Sequence, residues 1–425
     1  MTITSLKNVH IQPGTVDNTR ARVFQLLREH GPLSKIQIAH TLNISPSTAG
    51  VICQELVQEG IVTVAGIGKS VGGRRPTLLQ LNERAKLAIG CDVGVTHVIS
   101  VVTDLHGNVI ERSLIATDSR DEAETLLTSI CTSIQNVIDK ANVALENILG
   151  IGLSVPGLID SANGISVLAP NLPKWRNVPI VQLLKETFRL PVLMVNDAGA
   201  MALGEQWFGA GRGYQDLVCV NIGIGIGAGI ILDGRLYRGG AGGCGEIGHV
   251  TVNENGPRCP CGSNGCLELM AAGPAISARA IQAINSGVPT VLDALSKGKQ
   301  ANVSARLVAE AAKQGDKFAM EILADAGRYV GIGVAMVVNL LSPVRVIIGG
   351  GVSQSGEWFF NNIRSTVEQR AYTTIVNKPS IVLSELGVDA SVLGAAALVL
   401  ECAFRSTNSS FSFAPMRHVM DTSNV

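Results

Sequence analysis

The stretch LAIGCDVGVTHVISVVTDLHGNVI, Leu87 to Ile110, is answered later in the chain by LVCVNIGIGIGAGIILDGRLY, Leu217 to Tyr237. Each runs through an apolar strand to a polar residue, Asp92 or Asn221, then a glycine turn and a second apolar strand. β-Branched residues at this density, broken by glycine and an Asp-Gly or His-Gly reversal, specify buried strands joined by tight turns. Two copies of one plan predict two similar α/β lobes facing a cleft. A third glycine segment, RVIIGGGVSQSG at 345–356, reads as a buried strand running into a loop and a helix start. Such turns let backbone N–H groups approach phosphate, and they serve plain hairpins equally well.

The stretch GEIGHVTVNENGPRCPCGSNGCLE at 245–268 carries His249, Cys259, Cys261 and Cys266, spaced His-x9-Cys-x-Cys-x4-Cys. Four soft or borderline donors among Gly, Pro and Asn suit one closed tetrahedral zinc per chain. A catalytic zinc keeps an open position, so the expected role is structural. Glu246 stands three residues before the histidine and Glu268 two after the last cysteine, so a bound metal would fix both carboxylates. Asn196-Asp197 closes the apolar run PVLMV and opens the helical segment AGAMALGE. Strand ends are where α/β proteins bind ligands, and carboxylates and amides gathered there are natural partners for sugar hydroxyls. Each acid taken alone reads equally as a cap or a surface group.

The N-terminal region has another grammar. Residues 15–30 place Val23, Leu26 and Leu27 at helical spacing, with Asp17 in the first turn and Gly31-Pro32 as the stop. Ser34 is a cap for a second helix, its apolar face Ile36, Ile38, Ala39 and Leu42. Ser45-Pro46 starts a third, running to about Glu59 with Ala49, Ile52, Cys53 and Leu56 inward. Two apolar strands, 61–64 and 78–81, complete a winged helix-turn-helix. Its expected DNA contacts are Ser45, Ser47 and Thr48 at the start of the third helix, and Lys69, Arg74 and Arg75 in the wing loop GIGKSVGGRRPT. A solvated linker and a generic three-helix bundle are the bland alternative.

Charge separates the same regions. Net charge is zero over 425 residues, yet residues 1–90 hold ten Lys/Arg against five Asp/Glu. A basic module ahead of an acidic body fits one domain meeting phosphates. With 46% apolar and 16% charged residues and 47 glycines, the composition excludes disordered and fibrous classes. MTITSLKNVHIQPG lacks the pattern of a signal peptide, and the apolar stretch 330–344 holds Asn339 and Pro343, so neither secretion nor a membrane span is expected. Nine cysteines, three of them clustered, fit metal ligation in a reducing cytoplasm.

Together these motifs resemble the ROK family of repressors and sugar kinases, from the first helix through SVLGAAALVLE at 391–401. The most specific pieces are GEIGHV through CLE, NDAGAMALGE, SVPGLID with PNLPKW, and IGGGVSQSG. The helix-turn-helix and its GGRRPTLLQLN junction are similar to the family's regulators of xylose, glucose and N-acetylglucosamine metabolism. The resemblance implies an actin-like fold of two ribonuclease-H-type lobes. It divides the chain into a winged helix-turn-helix at 1–82, a first lobe at 83–195 completed by 386–404, a second lobe with the zinc at 196–385, and a flexible tail at 405–425. It also implies a sugar held by Asn171, Asn196, Asp197, Glu246, His249 and Glu268, with Asp197 the catalytic base in kinase relatives.

The chain departs from the family at the nucleotide. The family's first phosphate loop is Asp-x-Gly-Gly-Thr-Lys, and here DVGVTH puts Val95 and His97 where glycine and lysine are expected. The second loop, Gly-Thr-Gly in relatives, is Gly223-Ile224-Gly225. These changes argue against ATP–Mg and for a repressor that binds a sugar or sugar phosphate without phosphorylating it. The ligand would close the cleft of a homodimer or homotetramer and release double-stranded operator DNA. The alternative is a glucokinase-like, ATP-dependent sugar kinase carrying a DNA-binding domain. A phosphotransferase-system protein is a further partner class that no residue here reads.

Overall fold

The computed structural model describes residues 19–69, 75–240, 242–372 and 378–405. Its first elements are α1 (Thr19–His30), β1 (Leu33–Ser34), α2 (Lys35–Leu42), α3 (Pro46–Gln58), β2 (Val62–Ile67) and β3 (Thr77–Leu81). Ser34 caps α2 through a full capping box with Gln37, and Asn43 takes the left-handed conformation that ends it. Ser45 caps α3 with Pro46 behind it. Val23, Phe24, Leu27, Ile38, Ala49, Cys53 and Leu56 form the centre of this module. Two expectations change. Ile36 is 70% exposed because an eight-residue helix buries only one face, carried by Ile38, Ala39 and Leu42. Cys53 rather than Ile52 takes the fully buried position on α3. Leu33–Ser34 adds an unexpected third strand, giving the order β1-β3-β2. Residues 15–18, including Asp17, Arg74 of the wing and residues 406–425 of the tail lie outside the described residues.

The chain divides into two units, one running to Val195 and resuming at Ala395, the other spanning Asn196–Gly394. After the winged module the first unit contains β4 (Leu87–Val93), β5 (His97–Thr103), β6 (Val109–Ala116), α4 (Ala123–Ala141) and β7 (Ile148–Val155). There follow β8 (Leu158–Asp160), β9 (Ile165–Leu168), β10 (Arg176–Val178), α5 (Ile180–Phe188) and β11 (Val192–Asn196). Its main sheet has the order β11-β7-β4-β5-β6. Ile89, Cys91, Ile151 and Leu153 pack there against Ile130 and Ile134 of α4.

The second unit contains α6 (Asp197–Phe208), β12 (Leu217–Ile222), β13 (Ile226–Leu232), β14 (Arg235–Leu236), α7 (Leu267–Ala271), α8 (Gly273–Asn285) and α9 (Leu292–Leu295). It continues with α10 (Ala305–Lys313), α11 (Lys317–Leu341), β15 (Arg345–Gly349), α12 (Glu357–Arg370) and β16 (Ser380–Leu383). The last helix, α13 (Ala390–Arg405), opens in this unit and ends in the first, where Phe404 stacks on Phe24 of α1 at 3.7 Å. The sheet order is β14-β13-β12-β15-β16.

Numbered by appearance in each unit, both sheets read 3-2-1-4-5, with an antiparallel hairpin on one side and a parallel partner on the other. The duplicated motifs therefore sit on equivalent strands. Each is followed by a further strand that the alternation did not mark, β6 and β14, since β6 is an exposed edge with mixed character. Among the described residues one stretch, Gly387–Phe404, is long and apolar enough to cross a membrane, and 67% of it is buried in protein.

Candidate functional site

In the second unit the strand ends gather polar groups. β11 delivers Asn196, whose side chain accepts from Gly199 N at 3.1 Å and so caps α6. Asp197 follows as the first helical residue, where the positive end of the helix dipole favours a carboxylate. Asn221, the polar residue near the end of β12, donates Nδ2 to Asp197 Oδ2 at 3.3 Å. Across the next turn, the backbone N–H of Ile226 donates to Glu268 Oε2 at 3.0 Å. That carboxylate lies where a side chain at residue 225 would be, since a Cβ added to Gly225 would stand 2.7 Å from Oε2. Glycine in the second turn thus makes room for an acid of this chain. Glu246 has its carboxyl raised above the usual range, first by burial and then by Glu268, with His249 opposing. Asn221 and the Ile226 amide are the members that sequence reasoning missed, although Asn221 stands at the position matching Asp92.

The cysteine loop is folded as a knuckle. Cys259 N donates to Ser263 O at 2.8 Å, Gly265 N to Pro257 O at 2.8 Å, and Leu267 N to Val250 O at 2.9 Å. These bonds bring the donor atoms of His249, Cys259, Cys261 and Cys266 within 4.8 Å of one another. Cys259 Sγ is 3.7 Å from His249 Nδ1, and Cys261 Sγ is 3.6 Å from Cys266 Sγ. Donors about 2.3 Å from a tetrahedral ion are separated by about 3.8 Å, so the set fits a zinc-sized ion. The Ser263 backbone N–H pulls the Cys261 thiol down to about 7, while burial and its thiol neighbours push Cys266 up to about 12. His249 and the three cysteines can therefore hold a metal between two segments that carry Glu246 and Glu268.

In the second turn Gly223 N donates to Gly225 O at 2.9 Å, and the matching turn of the first unit has the same kind of bond. Gly94 N donates to His97 O at 2.8 Å, and a Cβ on Gly94 would stand 2.8 Å from that same oxygen. Val95 packs against the apolar core. His97, bonded at Nδ1 to Thr96 Oγ1 at 2.9 Å, has its pKa lowered by burial and by Arg112, so it brings no cation. Asp92 is held by a 2.5 Å hydrogen bond from Ser154 Oγ, and burial raises its carboxyl to about 6.

The remaining candidates fall elsewhere. Asn171 belongs to the first unit, exposed in the turn between β9 and β10. Ser45, Ser47 and Thr48 are exposed, and their hydroxyls are mutually bonded, with Ser45 Oγ 2.7 Å from each of the other two. Lys69 and Arg75 are exposed at the two ends of the wing.

Residues 16–63 match the winged helix-turn-helix DNA-binding family and residues 88–402 match the ROK family. The chain is 36% identical over 378 residues to the xylose repressor of Caldicellulosiruptor bescii, covering 89% of this chain and 94% of that protein. A solved ROK family transcriptional regulator, a homolog of the E. coli MLC protein, aligns with a TM-score of 0.78 at 27% identity, over 91% of this chain and 96% of the other. A ROK family glucokinase from Streptomyces griseus, solved with glucose and AMPPNP, aligns with a TM-score of 0.66 at 33% identity. It covers 73% of this chain and 98% of its own. With a winged DNA-binding module followed in the sequence by two actin-like sheets, this chain belongs to the ROK family.

Proposed function

We propose that this chain is a DNA-binding repressor of carbohydrate genes that senses a sugar and does not phosphorylate it. The observation that carries the reading is the contrast between the two turns. The second turn follows the Asp197–Asn221 pair and holds the Glu268 carboxylate on the Ile226 N–H, whereas in the first Val95 packs against the apolar core and burial with Arg112 keeps His97 neutral. The carboxylates of Asp197, Glu246 and Glu268 accept sugar hydroxyls, and Asn196 adds an amide N–H donor beside its capping oxygen. Xylose and glucose, named for the relatives, are the first sugars to test.

His249, Cys259, Cys261 and Cys266 would hold one structural zinc, whose bonds supply rigidity rather than reactivity. The Nδ1 atom faces the cysteines, which leaves Nε2 of the same ring to meet a sugar hydroxyl. Ser45, Ser47, Thr48, Lys69 and Arg75, with Arg74, would contact operator DNA. A homodimer or homotetramer would present two such modules to paired half-sites.

A kinase is the second reading. It is favoured by Asp197, placed at the start of α6 where it could take a proton from a hydroxyl, and by the 33% identity to the glucokinase. Calorimetry on the full chain separates the two. A sugar heat with no ATP–Mg heat, before or after sugar saturation, supports the repressor. ATP–Mg binding with sugar phosphate formed establishes the kinase.

A further inference from the structure

The outward stripe of α3 is set by what the helix turns inward. Ala49, Cys53 and Leu56 fix the buried side of this helix. The opposite side presents Ser47, Gly50, Val51 and Gln54 at helical spacing. Arg20 pairs with Glu55 at 3.8 Å and with Glu59, drawing both carboxylates toward α1. The stripe that remains carries no charge.

Two of its residues are unexplained by folding. Gly50 lies inside the helix, and a Cβ there would meet nothing within 4 Å. Glycine is a poor helix former, so alanine would serve the fold better. Val51 is 58% exposed, a short branched apolar side chain in the centre of a face otherwise made of polar or missing side chains.

Resting on the DNA-binding reading above, we propose that this stripe reads A·T base pairs in the major groove. Val51 packs on a thymine methyl, Gln54 pairs with an adjacent adenine, and Gly50 lets the helix backbone approach the groove closely. The chemistry is selective. Thymine alone presents a methyl in the major groove, and a glutamine amide matches adenine N6 and N7, whereas guanine is read by Arg or Lys, which the stripe lacks.

The test starts from a random-sequence duplex library selected with the full-length protein. Enrichment of A·T at one or two major-groove steps per half-site is expected, and enrichment of G·C there overturns the proposal. In the selected duplex, thymine is replaced by uracil one position at a time, which removes only the methyl. The wild-type protein should lose about 3–10-fold in affinity at the contacted thymine, and Val51→Ala, left with a single methyl, should bind thymine more weakly and show a clearly smaller uracil penalty. Equal uracil penalties for both proteins would overturn it. Gly50→Ala should raise the thermal midpoint while weakening every selected sequence about tenfold, and a stabilised variant with wild-type affinity would contradict the close approach. If no duplex is selected at all, the DNA-binding reading itself fails, a result distinct from selection that ignores Val51 and Gly50.

Discussion

The β4–β5 turn and the β12–β13 turn occupy the same place in two sheets of the same order, yet they do opposite things with a polar strand end. In the first, Asp92 accepts from Ser154 Oγ and Val95 packs against the core. In the second, Asn221 reaches Asp197, and the missing side chain of Gly225 is filled by the Glu268 carboxylate. One fold position thus becomes an apolar-packed hairpin in one unit and a cluster of carboxylate and amide groups in the other. Backbone topology sets where a site can be, and three or four side chains decide whether it exists.

The comparison breaks most visibly at its glycines. Gly225→Ala puts a methyl 2.7 Å from Glu268 Oε2 and must displace that carboxylate. Sugar affinity should fall about 10–100-fold by calorimetry while operator binding is retained, in line with about 1–3 kcal/mol for a disturbed part-buried contact to a charged group. In the other turn, at a position that matches Gly223 rather than Gly225, Gly94→Ala meets backbone oxygen at 2.8 Å. It should lower the thermal midpoint by the equivalent of about 1–3 kcal/mol and leave sugar affinity of the folded protein unchanged. If both variants behave alike, the two turns are not the opposites described.

Asp197→Asn keeps the shape of the residue that Asn221 touches and removes the charge. A loss of about tenfold in sugar affinity is expected, with operator affinity in the absence of sugar within twofold of wild type. Loss of both would show that Asp197 supports the fold instead.

Protons should compete with the metal at His249 and the cysteines, because a zinc ligand must be deprotonated. Release of zinc to a chromophoric chelator should therefore be faster at pH 6 than at pH 8. Stripped protein should lose most of its sugar affinity. A stripped protein with unchanged affinity would remove the knuckle from the account.

Asp92 gives a smaller effect with a definite sign. Its carboxyl is raised from 3.8 to about 6 in the folded chain, so the stability linked to it is full below about pH 3.8 and is lost as pH rises through about 6. Asp92→Asn, which keeps the oxygen that accepts from Ser154, should stabilise the protein at pH 7 by about 1–3 kcal/mol and by nothing near pH 3.5. Denaturant melts at the two pH values check this, and an equal shift at both would contradict the burial argument.

Much of this was legible in the chain because it is local. Ser34 with Gln37 and Ser45 with Pro46 are helix starts written within four residues, and the structure uses both. The repeated hairpin plan led to two equivalent sheets, and the His249–Cys266 spacing to one cluster of donors. What was hidden depends on partners distant in sequence. Ser154 lies 62 residues from Asp92, and Asn221 lies 24 from Asp197, so neither pair has a spacing to read. Ile36 misled because apolar character fixes a preference, while the packing of a two-turn helix decides which residues find a core.

The central claim is that sugar binding alone relieves repression. The direct measurement is fluorescence anisotropy of the full-length protein on its selected operator duplex, titrated with a panel of sugars in nucleotide-free buffer. Release of the duplex by at least one sugar at saturating concentration, with no further change on adding ATP–Mg, is the predicted result. Release that requires ATP–Mg, or retention of the duplex at saturation of a sugar shown to bind, would contradict it.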